Sequence, residues 1–121
     1  MTSTIAHTSV DCANAYELSE WWKQVLAYVD LDGDPNLPGH EECMIRSLET
    51  GHHVLFIEVP DAKQVKNRLH LDLRPDDQEA EVERLVDMGA RHVAVGQGTV
   101  DGWVVLADPE GNEFCVLSPR L

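Results

Sequence analysis

One order of elements occurs twice along this chain: a short β-branched stretch with a histidine, an amphipathic stretch, then three more strand-like stretches. In the first pass, residues 5–12 read as a strand and 13–26 as a helix. Leu18, Trp21, Trp22, Val25 and Leu26 recur every three or four residues, which builds one apolar stripe, and Asn14 is placed to cap it. That stripe must pack on a sheet, so both tryptophans are expected in the core. Strands are expected over 27–31, 43–49 and 53–59, with a turn-rich acidic loop over 32–39 and a break at Thr50-Gly51. After Pro60, polar residues 61–67 make a linker.

The second pass begins with a strand over 68–74 and a helix over 76–88. Asp76 and Asp77 stand at the positive end of its dipole, Val82, Leu85, Val86 and Met88 form its apolar face, and Gly89-Ala90 ends it. Strands around 91–95, 103–107 and 113–118 follow, divided by turns at Gly96-Gln-Gly98 and Asp108-Pro-Glu-Gly111. Both passes carry a histidine shortly before the helix. Both last strands also follow a glycine, in Gly51-His-His-Val-Leu-Phe56 and in Gly111-Asn-Glu-Phe-Cys-Val116. The expectation is an α+β fold of two βαβββ modules, about 1–62 and 67–121, within one domain over 1–121.

Charge narrows the partners. With 22 acidic against 9 basic side chains the formal charge is −13, which repels phosphate backbones and anionic lipid, so neither nucleic acid nor membrane is expected as a partner. The same field favours a cationic ligand, though acidity also serves solubility alone. At 43% hydrophobic, 121 residues bury a core without staples. Cys12, Cys43 and Cys115 lack paired or zinc-ribbon spacing and read as reduced thiols. The opening residues carry no basic flank with a long apolar run, and the expected location is the cytoplasm.

Three motifs carry a resemblance. His7-Thr-Ser-Val-Asp-Cys-Ala-Asn14, with a helix bearing Trp21-Trp22 and closing on Val25-Leu-Ala-Tyr28, resembles the opening of a vicinal oxygen chelate domain, whose helix ends in a Leu-Gly-Phe-like turn. Asn67-Arg-Leu-His-Leu-Asp-Leu73 is similar to the fifth strand of that superfamily. Asp108-Pro-Glu-Gly-Asn-Glu-Phe-Cys-Val-Leu117 is similar to its Asp-Pro-x-Gly-Asn turn into the last strand, and Met88-Gly-Ala-Arg91 fits between. The superfamily joins glyoxalases, bleomycin-resistance proteins and dioxygenases, and the details resemble its glyoxalase-like branch.

That resemblance implies curved mixed sheets around a cleft, a small-molecule ligand and a homodimer. It also implies one divalent metal ion, with zinc, iron, nickel and manganese all open, or a metal-free cleft as in drug-sequestering members. By motif match, His7 and His70 fall on the two histidine ligand positions, and Cys115 falls where the last acidic ligand normally stands, four residues after the turn glycine. The matching position of the first half is Leu55, which cannot ligate, with His53 and Ile57 on its face. Glu113 shares the face of Cys115, since strand side chains alternate, and a bulge would bring it closer.

The expected site is therefore His7, His70 and Cys115 for metal, with His53, Asp72, Trp103 and Glu113 lining the cleft. Asp72 stands two residues from His70, near enough to orient its imidazole or to touch ligand. Cys115 as a nucleophile is the weaker alternative to a buried structural thiol. The implied activity is that of a lyase, isomerase or dioxygenase. A non-catalytic antibiotic- or metabolite-binding protein is the alternative. Residues 30–41 faintly echo a calcium loop, but Pro35 stands where such a loop needs glycine, and a plain acidic loop is expected. Adjacent His52 and His53 point to opposite faces of a strand, so at most one faces a cleft. No phosphate-cradling loop or Gly-x-Ser-x-Gly elbow is present.

Overall fold

The computed structural model describes residues 2–93 and 102–119, and the chain divides into two compact units between Ala62 and Lys63. The first unit runs β1 (Thr8–Cys12), α1 (Ala15–Leu26), β2 (Val29–Asp30), β3 (Glu42–Arg46) and β4 (His53–Glu58). Its sheet has the order β1-β4-β3-β2, with β1 parallel to β4 and the other neighbours antiparallel. The second unit runs β5 (Asp72–Leu73), α2 (Gln78–Asp87), β6 (Arg91–His92), β7 (Trp103–Ala107) and β8 (Glu113–Leu117). Its order is β5-β8-β7-β6, again with one parallel pair, β5 with β8. The fold is α+β, two mixed four-stranded sheets with a helix each.

Local chemistry sets the elements. Asn14 is extended and its side chain accepts the Glu17 N–H at 3.0 Å, so α1 starts one residue later. Leu18, Trp21, Trp22 and Val25 are buried as the stripe requires, and the two indoles meet edge to face at 5.1 Å between centroids. The helix packs on β3 and β4, whose Ile45, Val54 and Phe56 complete that core. In the second unit Asp77 caps α2 by accepting the Ala80 N–H at 3.1 Å, and Leu85 joins Leu106, Phe114 and Val116 in the core.

The helix α1 ends on Ala27 at φ 56°, a left-handed conformation in which Cβ crowds the following carbonyl. Ala27→Gly is expected to raise stability by about 1 kcal/mol, read by chemical denaturation of the first unit. No gain would show that the alanine carries compensating contacts.

Several expected boundaries move. His7 lies one residue ahead of β1 and His70 two ahead of β5: the parallel ladders begin at Thr8 opposite Val54 and at Asp72 opposite Cys115, although β4 and β8 themselves start earlier, at His53 and Glu113. The strand expected over 43–49 ends at Arg46, since the Ser47 hydroxyl accepts the Glu49 and Thr50 N–H groups and turns the chain early. Of the α2 stripe only Leu85 is buried, while Val86 is 38% exposed. Of the strand expected at 91–95, Arg91 and His92 form β6 and Val93 adds one bond to Val105; residues 94–95 and the Gly96-Gln-Gly98 turn lie outside the described residues.

The acidic loop after β2 is not held by surface charge alone. Asn36, buried, donates from its side-chain amide to Asp30 at 2.9 Å and to the Met44 carbonyl at 2.8 Å, and Asp30 also takes the Lys23 ammonium at 2.9 Å. Burial alone would lift the Asp30 pKa, but Lys23 and the Asn36 amides outweigh it and hold the carboxyl below the ordinary 3.8. A depressed folded pKa adds stability that is present above the unfolded value and lost as pH falls through the folded one. Acid titration of unfolding should thus show a loss below about pH 4 that Asp30→Asn removes. Equal acid slopes in both proteins would refute it.

Candidate metal centre in the second unit

The geometry of the site follows from one register. In the parallel pair β5–β8, Asp72 lies opposite Cys115, so their side chains leave the same face of the sheet. His70, two residues before Asp72 and ahead of the strand, brings a ring nitrogen to the same place. The fully buried Leu106, Phe114 and Val116 take the opposite face, where the core is. The result is a cluster in which an imidazole nitrogen, a carboxylate oxygen and the Cys115 sulfur all lie within 4.8 Å of one another. Among the described residues this is the one group of three or more such donors that close together.

Within the cluster His70 Nε2 stands 3.2 Å from Asp72 Oδ1, so the pairing left open by sequence is formed. His70 and Asp72 are 39% and 51% exposed in their side chains, whereas Cys115 is 8% exposed as a residue. Burial pushes the Cys115 thiol up, and the charge of Asp72 and its hydrogen bond to the thiol push it further. Without a cation, Cys115 is a protonated thiol beside a carboxylate and a poor nucleophile.

The donor set fits a metal. Thiolate, imidazole and carboxylate are zinc-type ligands at about 2.0–2.3 Å, so the observed spread calls for a small rotation of the two exposed side chains. A cation between them would also remove the reason for the raised thiol, since a coordinating sulfur is deprotonated.

Glu113 is on the same face, two residues earlier, but is differently employed. Its Oε2 meets Lys63 Nζ at 2.5 Å and its Oε1 accepts the Asn67 N–H at 2.8 Å, with the side chain 9% exposed. Burial would raise its pKa, but these partners overcome it and hold the carboxyl below its ordinary range. The β7–β8 register runs residue for residue from Trp103 opposite Leu117 to Ala107 opposite Glu113, so no bulge brings Glu113 toward the cluster. Lys63 and Asn67 lie in the segment that sequence reads as a linker. The signal that could have placed them is their polarity, interleaved with a buried acidic strand residue that needs a partner.

Trp103, 39% exposed, is two residues from Val105, the β7 neighbour of Cys115, and thus on the same face. The first unit repeats the register with different chemistry. Ser9 lies opposite Leu55, so the counterparts of His70, Asp72 and Cys115 are His7, Ser9 and Leu55. Leu55 has no ligand atom, and His7 is exposed ahead of its strand. His53 shares the face of Leu55, and its Nδ1–H donates to the Gly51 carbonyl at 2.7 Å, which leaves Nε2 as the acceptor of the neutral ring. His52, read by sequence only as the neighbour of His53, has both nitrogens on hydroxyls, Thr8 at 3.1 Å and Tyr28 at 2.9 Å.

A family profile described as glyoxalase-like domain matches residues 7–117. No curated protein matches the chain. Among solved structures, the fosfomycin resistance protein FosX from Listeria monocytogenes superimposes with a TM-score of 0.72 at 15% identity, over 100% of this chain and 94% of that one. A glyoxalase/bleomycin resistance protein/dioxygenase family enzyme from Burkholderia phytofirmans PsJN gives 0.72 at 16%, over 98% and 100%. A possible glyoxalase from Bacillus cereus gives 0.69 at 13%, over 96% and 99%. At such identities the likeness is one of fold. A variant of the Listeria FosX was solved with Mn(II) and 1S,2S-dihydroxypropylphosphonic acid.

Proposed function

Since this chain belongs to the glyoxalase-like domain family, we propose that it binds a small organic molecule beside a divalent metal ion held by His70, Asp72 and Cys115. The observation that carries this reading is the convergence of three ligand atoms within 4.8 Å on one sheet face. The likeness to FosX, solved with Mn(II) and a small phosphonate, supports it. When bound, such an ion supplies Lewis-acid polarisation of substrate oxygen. Lyase and isomerase chemistry use that polarisation directly, whereas dioxygenase chemistry needs in addition an ion that activates O2.

The chain's own residues divide the remaining work. Half-exposed His70 and Asp72 can turn to meet an ion, while buried Cys115 is the fixed point. Asp72 also orients the imidazole, and the half-exposed indole of Trp103 offers an apolar surface to an organic ligand on the same face. The acidic surface favours a ligand with positive charge.

Metal analysis of protein purified without added metal tests the proposal: stoichiometric metal is expected, and its loss in His70→Ala. A protein that takes up no divalent ion even after dialysis against one refutes the metal reading and leaves the non-catalytic binder. His7→Ala in the same assay tests the ligand role expected for His7. Ligand binding should quench a fluorescence component that Trp103→Phe deletes; quenching unchanged in that variant would remove Trp103 from the site.

A further inference from the structure

This inference rests on the metal reading above and names the class of ion. We infer that the His70, Asp72 and Cys115 site selects a thiophilic divalent ion of the zinc class over hard ions such as manganese or magnesium.

The donor best shielded from water is the sulfur: Cys115 is 8% exposed, whereas His70 and Asp72 are half-exposed. Soft thiolate and borderline imidazole suit zinc and its neighbours, while manganese and magnesium want carboxylate, carbonyl and water oxygens. Asp72 is the site's one carboxylate, and a second that could harden it is not free to do so. Both oxygens of Glu113 are engaged, by the Lys63 ammonium and the Asn67 amide, in a 9% exposed position. Withdrawing Glu113 would strand an ammonium and a backbone N–H that it now satisfies. The regular β7–β8 ladder also holds it two residues from Cys115. In the first unit, Ser9 opposite Leu55 offers no equivalent set, so the soft site belongs to the second unit.

The test uses the full chain, stripped by chelation and titrated with Zn(II), Co(II) and Mn(II). Any nitrogen or oxygen site favours zinc over manganese, so the deciding quantity is how the ratio changes when sulfur is lost. Cys115→Ser should weaken Zn(II) by at least the roughly 10–100-fold that loss of even an outer partner costs, with Mn(II) affected much less. The Co(II) form should show a thiolate-to-metal charge-transfer band that Cys115→Ser abolishes. Glu113→Gln, with thermal unfolding to verify its fold, should leave that band and the Zn(II) affinity in place.

An unchanged Zn(II)/Mn(II) ratio in Cys115→Ser, or a wild-type Co(II) form without the band, overturns the selectivity while the metal site stands. A loss in Glu113→Gln as large as in Cys115→Ser overturns it too, by making Glu113 a ligand. Wild type that binds none of the three ions sinks the metal reading and this inference together.

Discussion

Asp108→Ala is expected to lower the stability of the second unit by roughly 2–4 kcal/mol, the combined effect of losing hydrogen bonds to a charged group and leaving their donors unpaired. Asp108 is fully buried at the head of the last turn. Its Oδ1 accepts the Glu110 N–H at 2.9 Å and the Asn112 N–H at 3.0 Å, while Oδ2 takes the Asn112 side-chain amide at 3.1 Å. Alanine removes all of these and leaves the donors facing a small void. Asp108→Asn keeps one acceptor oxygen and should lose less, about half as much. The turn also places Gly111, at φ 89°, four residues ahead of Cys115, so the alanine variant should also weaken metal binding at the proposed site. Urea unfolding of both variants, with and without zinc, checks the claim. A loss under about 1 kcal/mol in Asp108→Ala would mean that water replaces the carboxylate.

The larger effect is expected from Phe114→Ala, at roughly 3–5 kcal/mol, the usual range for deleting a buried phenyl group. Phe114 is 1% exposed, between Glu113 and Cys115 on β8, and points to the core face while they point to the other. The cost is transfer of the ring plus the cavity that the sheet and α2 cannot fully close. A domain of this size has only about 5–15 kcal/mol in all, so the variant should be partly unfolded at modest urea. If the proposed site takes zinc, the ion at about one hundred times its Kd should return about 2.7 kcal/mol, because an ion that binds only the folded state stabilises it by mass action. Calorimetry of the variant with and without zinc measures both terms. If zinc leaves the midpoint unchanged, the folded β5–β8 pair does not hold it, which counts against the proposed site.

Much of the fold is legible in the sequence, for reasons visible in particular residues. The α1 stripe of Leu18, Trp21, Trp22 and Val25, the Asn14 cap and the Gly111 turn are local patterns, and each recurs in the structure where its period places it. The strand expected over 103–107 matches β7 residue for residue. Strand ends are less readable: Ser47 stops β3 with its side chain, and β5 pairs only over Asp72–Leu73 although β8 already begins at Glu113, whose carboxylate takes the Asn67 N–H instead. The site divides the same way. Motif and spacing single out His70, Asp72 and Cys115, but as a metal ligand, a cleft residue and another ligand, not as one cluster. His7 belongs to the first unit, whose matching positions are Ser9 and Leu55.

Sequence by itself determined the doubled βαβββ order, the helix faces and the residue types available for chemistry, because periodicity, capping and turn preferences act over a few neighbouring residues. Only the tertiary structure decided that Asp72 faces Cys115 and that Glu113 is engaged by Lys63 and Asn67. Those partners lie more than forty residues apart along the chain, and their meeting depends on how strands align across a sheet, which no short window of sequence specifies.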